Sequence, residues 1–192
     1  MVVRLIIAAG DEPATTRSFA KGATGEQIVG RTLDSISSGK GVVAIHDRRV
    51  PRSLANIDHI AVTPSGIFVI DTKHYEGQRV SKGFLGSLLN PGPPQLFVGR
   101  HNCTHLVKKM PAQRNVVAAA LEGLPEAANV PILPMIVFVN ADWGFLARPI
   151  DIDGVWVGSP RQMAKAVSAY GPLDAAAKER LVERVAARLR PA

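Results

Sequence analysis

A mixed α/β (α+β) domain is the fold class that three features of this 192-residue sequence predict. First, apolar strand-like runs and helically periodic stretches follow one another as helix, three strands, helix, strand and trailing helices, which is not the regular alternation of a βαβ array. Second, 46% hydrophobic residues supply a sizeable core in a chain of this length. Third, no repeat or low-complexity tract divides the chain, so residues 1–192 read as one domain.

Val2 to Ala9 is short and apolar but interrupted by Arg4, which suits a strand and lacks the build of a signal peptide. Residues 10–20 are polar and contain Pro13, and read as a loop. Ile28, Val29, Leu33 and Ile36 recur at helical spacing, with Thr24 and Gln27 placed as a capping box and the run Ser37 to Gly41 as the stop. Residues 42–50 form a β-branched strand ended by Pro51. Ile57–Val62 and Ile67–Thr72 are two further strands joined by the turn cluster Thr63 to Gly66. Residues 76–94 read as an irregular excursion with a strand near Gln78–Ser81, and 95–99 as a short strand. A helix spans His105–Leu121, with Pro111 expected near its true start because proline favours a first turn. Residues 131–139 have the length and apolar content of a buried strand, and Gly154–Val157 of a short one. Ser159 and Pro160 open a helix, and Leu173, Leu181, Val185 and Leu189 stripe a closing one, so that helices occupy 159–190.

The net charge of +7 is unevenly placed. Between Gly77 and Leu121 there is no Asp or Glu, while Arg79, Lys82, Arg100, Lys108, Lys109 and Arg114 all lie there. A segment of one sign suits contact with a phosphate backbone, since each neutralised phosphate releases counterions. These six residues are the candidate nucleic-acid contacts. No apolar run reaches the ~18–20 residues that cross a bilayer, so no membrane role is expected. Cys103 is the single cysteine, which excludes an internal disulfide and suits a cytoplasmic location.

Asp58 and Asp71 interrupt strands that are otherwise core material. If Val62 faces Ile67 across the turn, Asp58 falls opposite Asp71, with Cβ atoms about 4.5–5.5 Å apart. Like charges so placed repel unless a cation lies between them, and Mg²⁺ is commonly held by one or two carboxylates with water and phosphate oxygens. Side-chain alternation adds Lys73 to the same face. The plainer alternative is an Asp71–Lys73 salt bridge with Asp58 closing a turn after Asn56, but acids in buried strands are costly without partners.

The stretches GEQIVGRTL and NIDHIAVTPSGIFVIDTKHYEG, followed by a helix carrying Gln113, resemble the nuclease-related domain (NERD) family of the PD-(D/E)xK, restriction-endonuclease-like superfamily. The likeness covers about residues 22–140. It implies a restriction-endonuclease-like mixed central sheet flanked by helices. It also implies that Asp58 and Asp71 ligate Mg²⁺ or Mn²⁺, with Glu26 as the helix acid that holds metal or water. Lys73 would act on the attacking water or the phosphate, and Gln113 would lie beside the site. Asp71 stands where Glu is commoner, shortening the reach by one methylene, and Ile57 replaces the proline of the motif name. The activity implied is metal-dependent hydrolysis of phosphodiester bonds, with DNA favoured over RNA as the partner. The alternative is a nucleic-acid-binding or interaction module that keeps the fold with little catalysis.

Other residues carry less. His59 alternates away from Asp58 and suits a packed strand histidine, and His74 adjoins Lys73 without further support. His101, Cys103 and His105 lack a fourth ligand for zinc. Trp143 and Trp156 suit core positions better than base stacking.

Overall fold

The computed structural model describes residues 14–84, 92–144 and 147–192, so the expected N-terminal strand lies outside the described residues. A six-stranded mixed sheet forms the centre, in the order β1-β2-β3-β7-β9-β8. Its strands are β1 (Val43–Arg49), β2 (Asn56–Thr63), β3 (Gly66–His74), β7 (Ile132–Val139), β8 (Ile150–Ile152) and β9 (Val155–Gly158). β3, β7 and β9 run parallel, whereas β1–β2, β2–β3 and β8–β9 pair antiparallel. A second, three-stranded antiparallel sheet holds β4 (Val80–Phe84), β5 (Pro94–Val98) and β6 (His101–Asn102). The expected α+β class and mixed central sheet are what the chain forms.

Among the described residues, four α-helices flank the sheet: α1 (Ala14–Lys40), α2 (Thr104–Leu121), α3 (Pro160–Val167) and α4 (Ala175–Arg188). Val29 and Leu33 of α1 with Met163 and Val167 of α3 pack on Ala61, Phe68, Ile70 and Met135. On the other face, Val117 and Leu121 of α2 with Leu181 and Val185 of α4 pack on Ile60, Val62, Ile67 and Val69. With both faces covered, Ile67 to Ile70 are buried without alternation, as a sandwiched strand requires. The first half of α2 and the small sheet close a third cluster around Ile136 and Phe138, and the rings of Trp143 and Phe138 meet there at 6.4 Å. The β2–β3 turn depends on Gly66, whose φ is +145° and where a Cβ would stand 2.7 Å from the Pro131 carbonyl.

Three expectations are corrected. Residues 14–20 are helical rather than loop, and the polar segment after Pro13 contains no backbone breaker to prevent it. Thr24 and Gln27 therefore sit inside α1 and do not cap it; a capping-box spacing recurs by chance on any helix surface. Pro111 lies inside α2 as its eighth residue, where it removes one backbone donor on an exposed face. The capping box that does form is Ser159 with Gln162 at α3.

Candidate functional site

The β2–β3 register is the one expected, Val62 facing Ile67 and His59 facing Ile70. Pairing stops there, one step short of Asp58 and Asp71. Ile57 and Ile60 both pack in the α2/α4 cluster, three residues apart, so the period of two is broken between them, at Asp58 and His59. In place of a further rung, Asp58 Oδ2 accepts the Thr72 amide at 2.7 Å. Asp58 is thus pinned to β3 beside Asp71 by a charge-assisted bond rather than by ladder geometry.

Asp71 is gripped from two sides. Lys73 Nζ lies 2.7 Å from its Oδ2, and Gln113 Nε2 of α2 donates to Oδ1 at 3.4 Å. Lys73 also donates to the Thr72 carbonyl at 3.1 Å. Glu26 comes from α1, which approaches β3 closely at Gly25: a Cβ there would sit 3.3 Å from His74 Cβ and 3.4 Å from Thr72 Cγ2. Glu26, Asp58, Thr72, Lys73, His74 and Tyr75 line one cleft of about 410 Å³. Five residues expected at the site, Glu26, Asp58, Asp71, Lys73 and Gln113, therefore converge.

Their charges interact. Burial, and then the charge of Asp71, push the Asp58 carboxyl up to about 7, against the pull of the Thr72 amide and Lys73. Burial also raises Glu26, aided by Asp47 and Asp71 and opposed by Lys73. Three acids crowded round a single ammonium is an arrangement short of positive charge. The donors suit a hard divalent cation, which takes carboxylate and carbonyl oxygens. Gln113 Oε1 adds one more, being buried with no hydrogen-bond partner among the described residues. No group of three or more His, Cys, Asp or Glu is preassembled for a metal among the described residues. Mg²⁺ does not require one, because water and substrate phosphate complete its shell.

The six candidate phosphate contacts are all exposed and fall into two sets. Arg79, Lys82 and Arg100 belong to the small sheet and its flanks, where Arg79 meets Asp142 at 3.5 Å and Lys82 donates to the Asp151 carbonyl at 2.8 Å. Lys108, Lys109 and Arg114 belong to α2, with Arg114 Nε on the Ile132 carbonyl at 3.1 Å. Lys109 stands one turn before Gln113, on the helix stripe that leads to the acids.

Tyr75 carries no motif of its own, and its one signal in the sequence is alternation from Asp71 and Lys73. Its ring packs 5.6 Å from Phe138, and burial and the Cys103 thiol raise its phenol. His59 is buried as expected, and burial followed by the neighbouring His46 lowers it to about 4.

An α+β scaffold that brings two acids and a lysine to one cleft, with a helix glutamine bonded to the neighbouring Asp71, suits a nuclease-related protein. A family model described as nuclease-related domain (NERD) matches residues 21–139, more than half of the 192 residues, and the chain belongs to that family. No curated protein and no solved structure matches the chain. No helix among the described residues is long and apolar enough to cross a membrane.

Proposed function

We propose that the protein is a Mg²⁺- or Mn²⁺-dependent nuclease that hydrolyses phosphodiester bonds of DNA. One observation carries this reading: Glu26, Asp58 and Lys73 line one open cleft, with Asp71 held against Lys73, at the cost of a strongly raised carboxyl on Asp58. A purely structural ion pair needs one acid per lysine, so two further acids at that place call for a cation that comes with the substrate.

In this reading Asp58 and Asp71 hold the ion and Glu26 holds the ion or its water. When bound, the ion supplies Lewis acidity and an activated water for attack at phosphorus. Lys73 places its ammonium where negative charge grows on the phosphate, and Gln113 orients Asp71. Lys108 and Lys109, with the other exposed basic residues, hold the flanking backbone without reading its sequence.

The test is incubation of the purified protein with supercoiled, linear and single-stranded DNA and with RNA, each with Mg²⁺, Mn²⁺ or EDTA. Cleavage should require the ion, favour DNA and vanish in Asp58→Asn and Asp71→Asn. Binding of DNA without cleavage above the EDTA control on any substrate would leave a nucleic-acid-binding module. The Asp71–Lys73 ion pair is the observation that favours that second reading, because it neutralises one acid internally.

A further inference from the structure

Glu26 and Asp58 also line a second cleft, of about 320 Å³, between α1, β1 and β2, together with Asp34, His46, Asp47 and His59. His46 of β1 and His59 of β2 are cross-strand partners. Their Nδ1 atoms face one another at 2.8 Å, with the rings nearly perpendicular at 81°. His46 Nε2 lies 3.1 Å from Asp34 Oδ1 of α1. His59 is only 4% exposed, and its Nε2 makes no hydrogen bond among the described residues, although the Glu26 backbone carbonyl faces its ring. α1 lies over both rings at Gly30, where a Cβ would stand in ordinary contact, 3.6 Å from His59 Cε1 and 3.9 Å from His46 Cε1.

With two neutral rings the hydrogens of this array do not balance, whereas a protonated His46 would donate to both Asp34 and His59 and leave His59 its N–H for the Glu26 carbonyl. A neutral imidazole carries one N–H and one lone pair. If His46 donates Nε2–H to Asp34, its Nδ1 is a lone pair, and His59 must spend its only N–H on the Nδ1 contact. His59 Nε2 is then a buried lone pair facing a carbonyl. An ion between the two Nδ1 atoms meets the same demands without a charged ring: both lone pairs point at it, His46 keeps its N–H for Asp34, and His59 turns its N–H toward the Glu26 carbonyl. Metal-ligating histidines are generally oriented in this way, by a carboxylate or carbonyl on the other ring nitrogen.

We propose that His46 and His59 bind a transition-metal ion, Zn²⁺ foremost, through their Nδ1 atoms, with Asp34 as the positioning residue for His46. Imidazole pairs favour such ions over Mg²⁺. Tetrahedral Zn–N bonds of about 2.0–2.1 Å set the two nitrogens ~3.3 Å apart, so the rings part by about half an ångström on binding. Water takes the remaining positions, with the Asp47 and Glu26 carboxylates in the same cleft. The ion would fasten α1 to β1 and β2 beside Glu26 and Asp58. It uses neither Asp71 nor Lys73, and it stands whether or not the chain cleaves nucleic acid.

The test uses the tag-free full chain, stripped with chelator, titrated calorimetrically with Zn²⁺ and by visible absorption with Co²⁺. One ion should bind at about 10 μM or tighter, with imidazole-type Co²⁺ bands. His46→Ala and His46→Gln should each weaken Zn²⁺ at least ~100-fold, and Asp34→Asn about 10–100-fold. His101→Ala and His105→Ala should stay within about threefold of wild type. Far-UV circular dichroism establishes that each variant is folded, and the two His46 variants guard against one failing. Zn²⁺ binding equal to wild type in a folded His46 variant overturns the proposal. So does loss in Asp71→Asn alone, which would put the ion at the acid cluster, or the absence of binding by wild type below about 1 mM.

Discussion

The Asp58 carboxylate accepts a hydrogen bond from the Thr72 amide at 2.7 Å, where the β2–β3 ladder has already ended. Asparagine at this position keeps a carbonyl oxygen for that amide and removes only the charge. Asp58→Asn should therefore melt no lower than wild type in EDTA. Mg²⁺ or Mn²⁺ at a hundred times its dissociation constant should stabilise the wild type by about 2.7 kcal/mol, or roughly 5–10 °C in a chain of this size. The variant should show no such rise. Thermal melts of both proteins with and without ion decide it, and an equal rise in the two would remove Asp58 from the metal site.

The same carboxyl sets a pH dependence. Its folded value, about 7, lies above the ordinary 3.8, so the folded state keeps the proton longer than the unfolded chain. Stability from this group is present below about 4 and is lost as pH rises to about 7. His59 acts in the opposite sense: its value is lowered from 6.5 to about 4, so its contribution is present above about 6.5 and lost as pH falls to about 4. The two oppose each other between about 4 and 6.5. His59→Gln should uncover a fall in stability with rising pH, and Asp58→Asn a fall with decreasing pH, each on the order of a few kcal/mol at most. Urea midpoints at pH 4.5, 5.5, 6.5 and 7.5 without metal measure it, and parallel curves for both variants would contradict the assignment.

Lys108 and Lys109 are exposed on α2, a turn or more before Gln113. Replacing both with Ala should weaken binding to all DNA sequences alike. The slope of log affinity against log salt should flatten by about 0.9 for each phosphate that is no longer neutralised. Fluorescence anisotropy at several salt concentrations tests this; an unchanged slope would mean that these lysines face bulk water in the complex.

Much of the arrangement is legible in the sequence. The register of β2 on β3 follows from a four-residue turn with glycine at its end and points Asp58 toward Asp71, although the last step depends on the Thr72 hydrogen bond. Gln113 and Glu26 are placed by resemblance, since no local pattern tells which turn of a helix will meet a strand end. The break in alternation at Asp58 is not legible. It arises because Ile57 and Ile60 both enter one core cluster, a tertiary demand that overrides the strand period. The early start of α1 escapes because a polar helix and a polar loop share composition when no breaker separates them. The pairing of His46 with His59 needs the β1–β2 register, and the connection at 50–55 contains no turn signal that fixes it.

Lys73 separates an enzyme from a binding module. Its ammonium lies 2.7 Å from Asp71 Oδ2 and is 28% exposed, close enough to the cleft to reach a phosphate oxygen. Lys73→Met keeps much of the apolar stem and removes the charge, so the fold should survive. Asp71 then loses its internal counter-ion, and affinity for Mn²⁺ should stay the same or rise. Cleavage should fall by ~10²–10³, the usual value of a group that stabilises charge at the transition state. DNA binding, spread over the basic residues of α2 and the small sheet, should weaken only slightly. Cleavage, Mn²⁺ affinity and DNA affinity are measured in parallel for both proteins. Equal cleavage by wild type and Lys73→Met would place the chemistry elsewhere, and loss of Mn²⁺ binding in the variant would make Lys73 a structural partner of Asp71 rather than a catalytic residue.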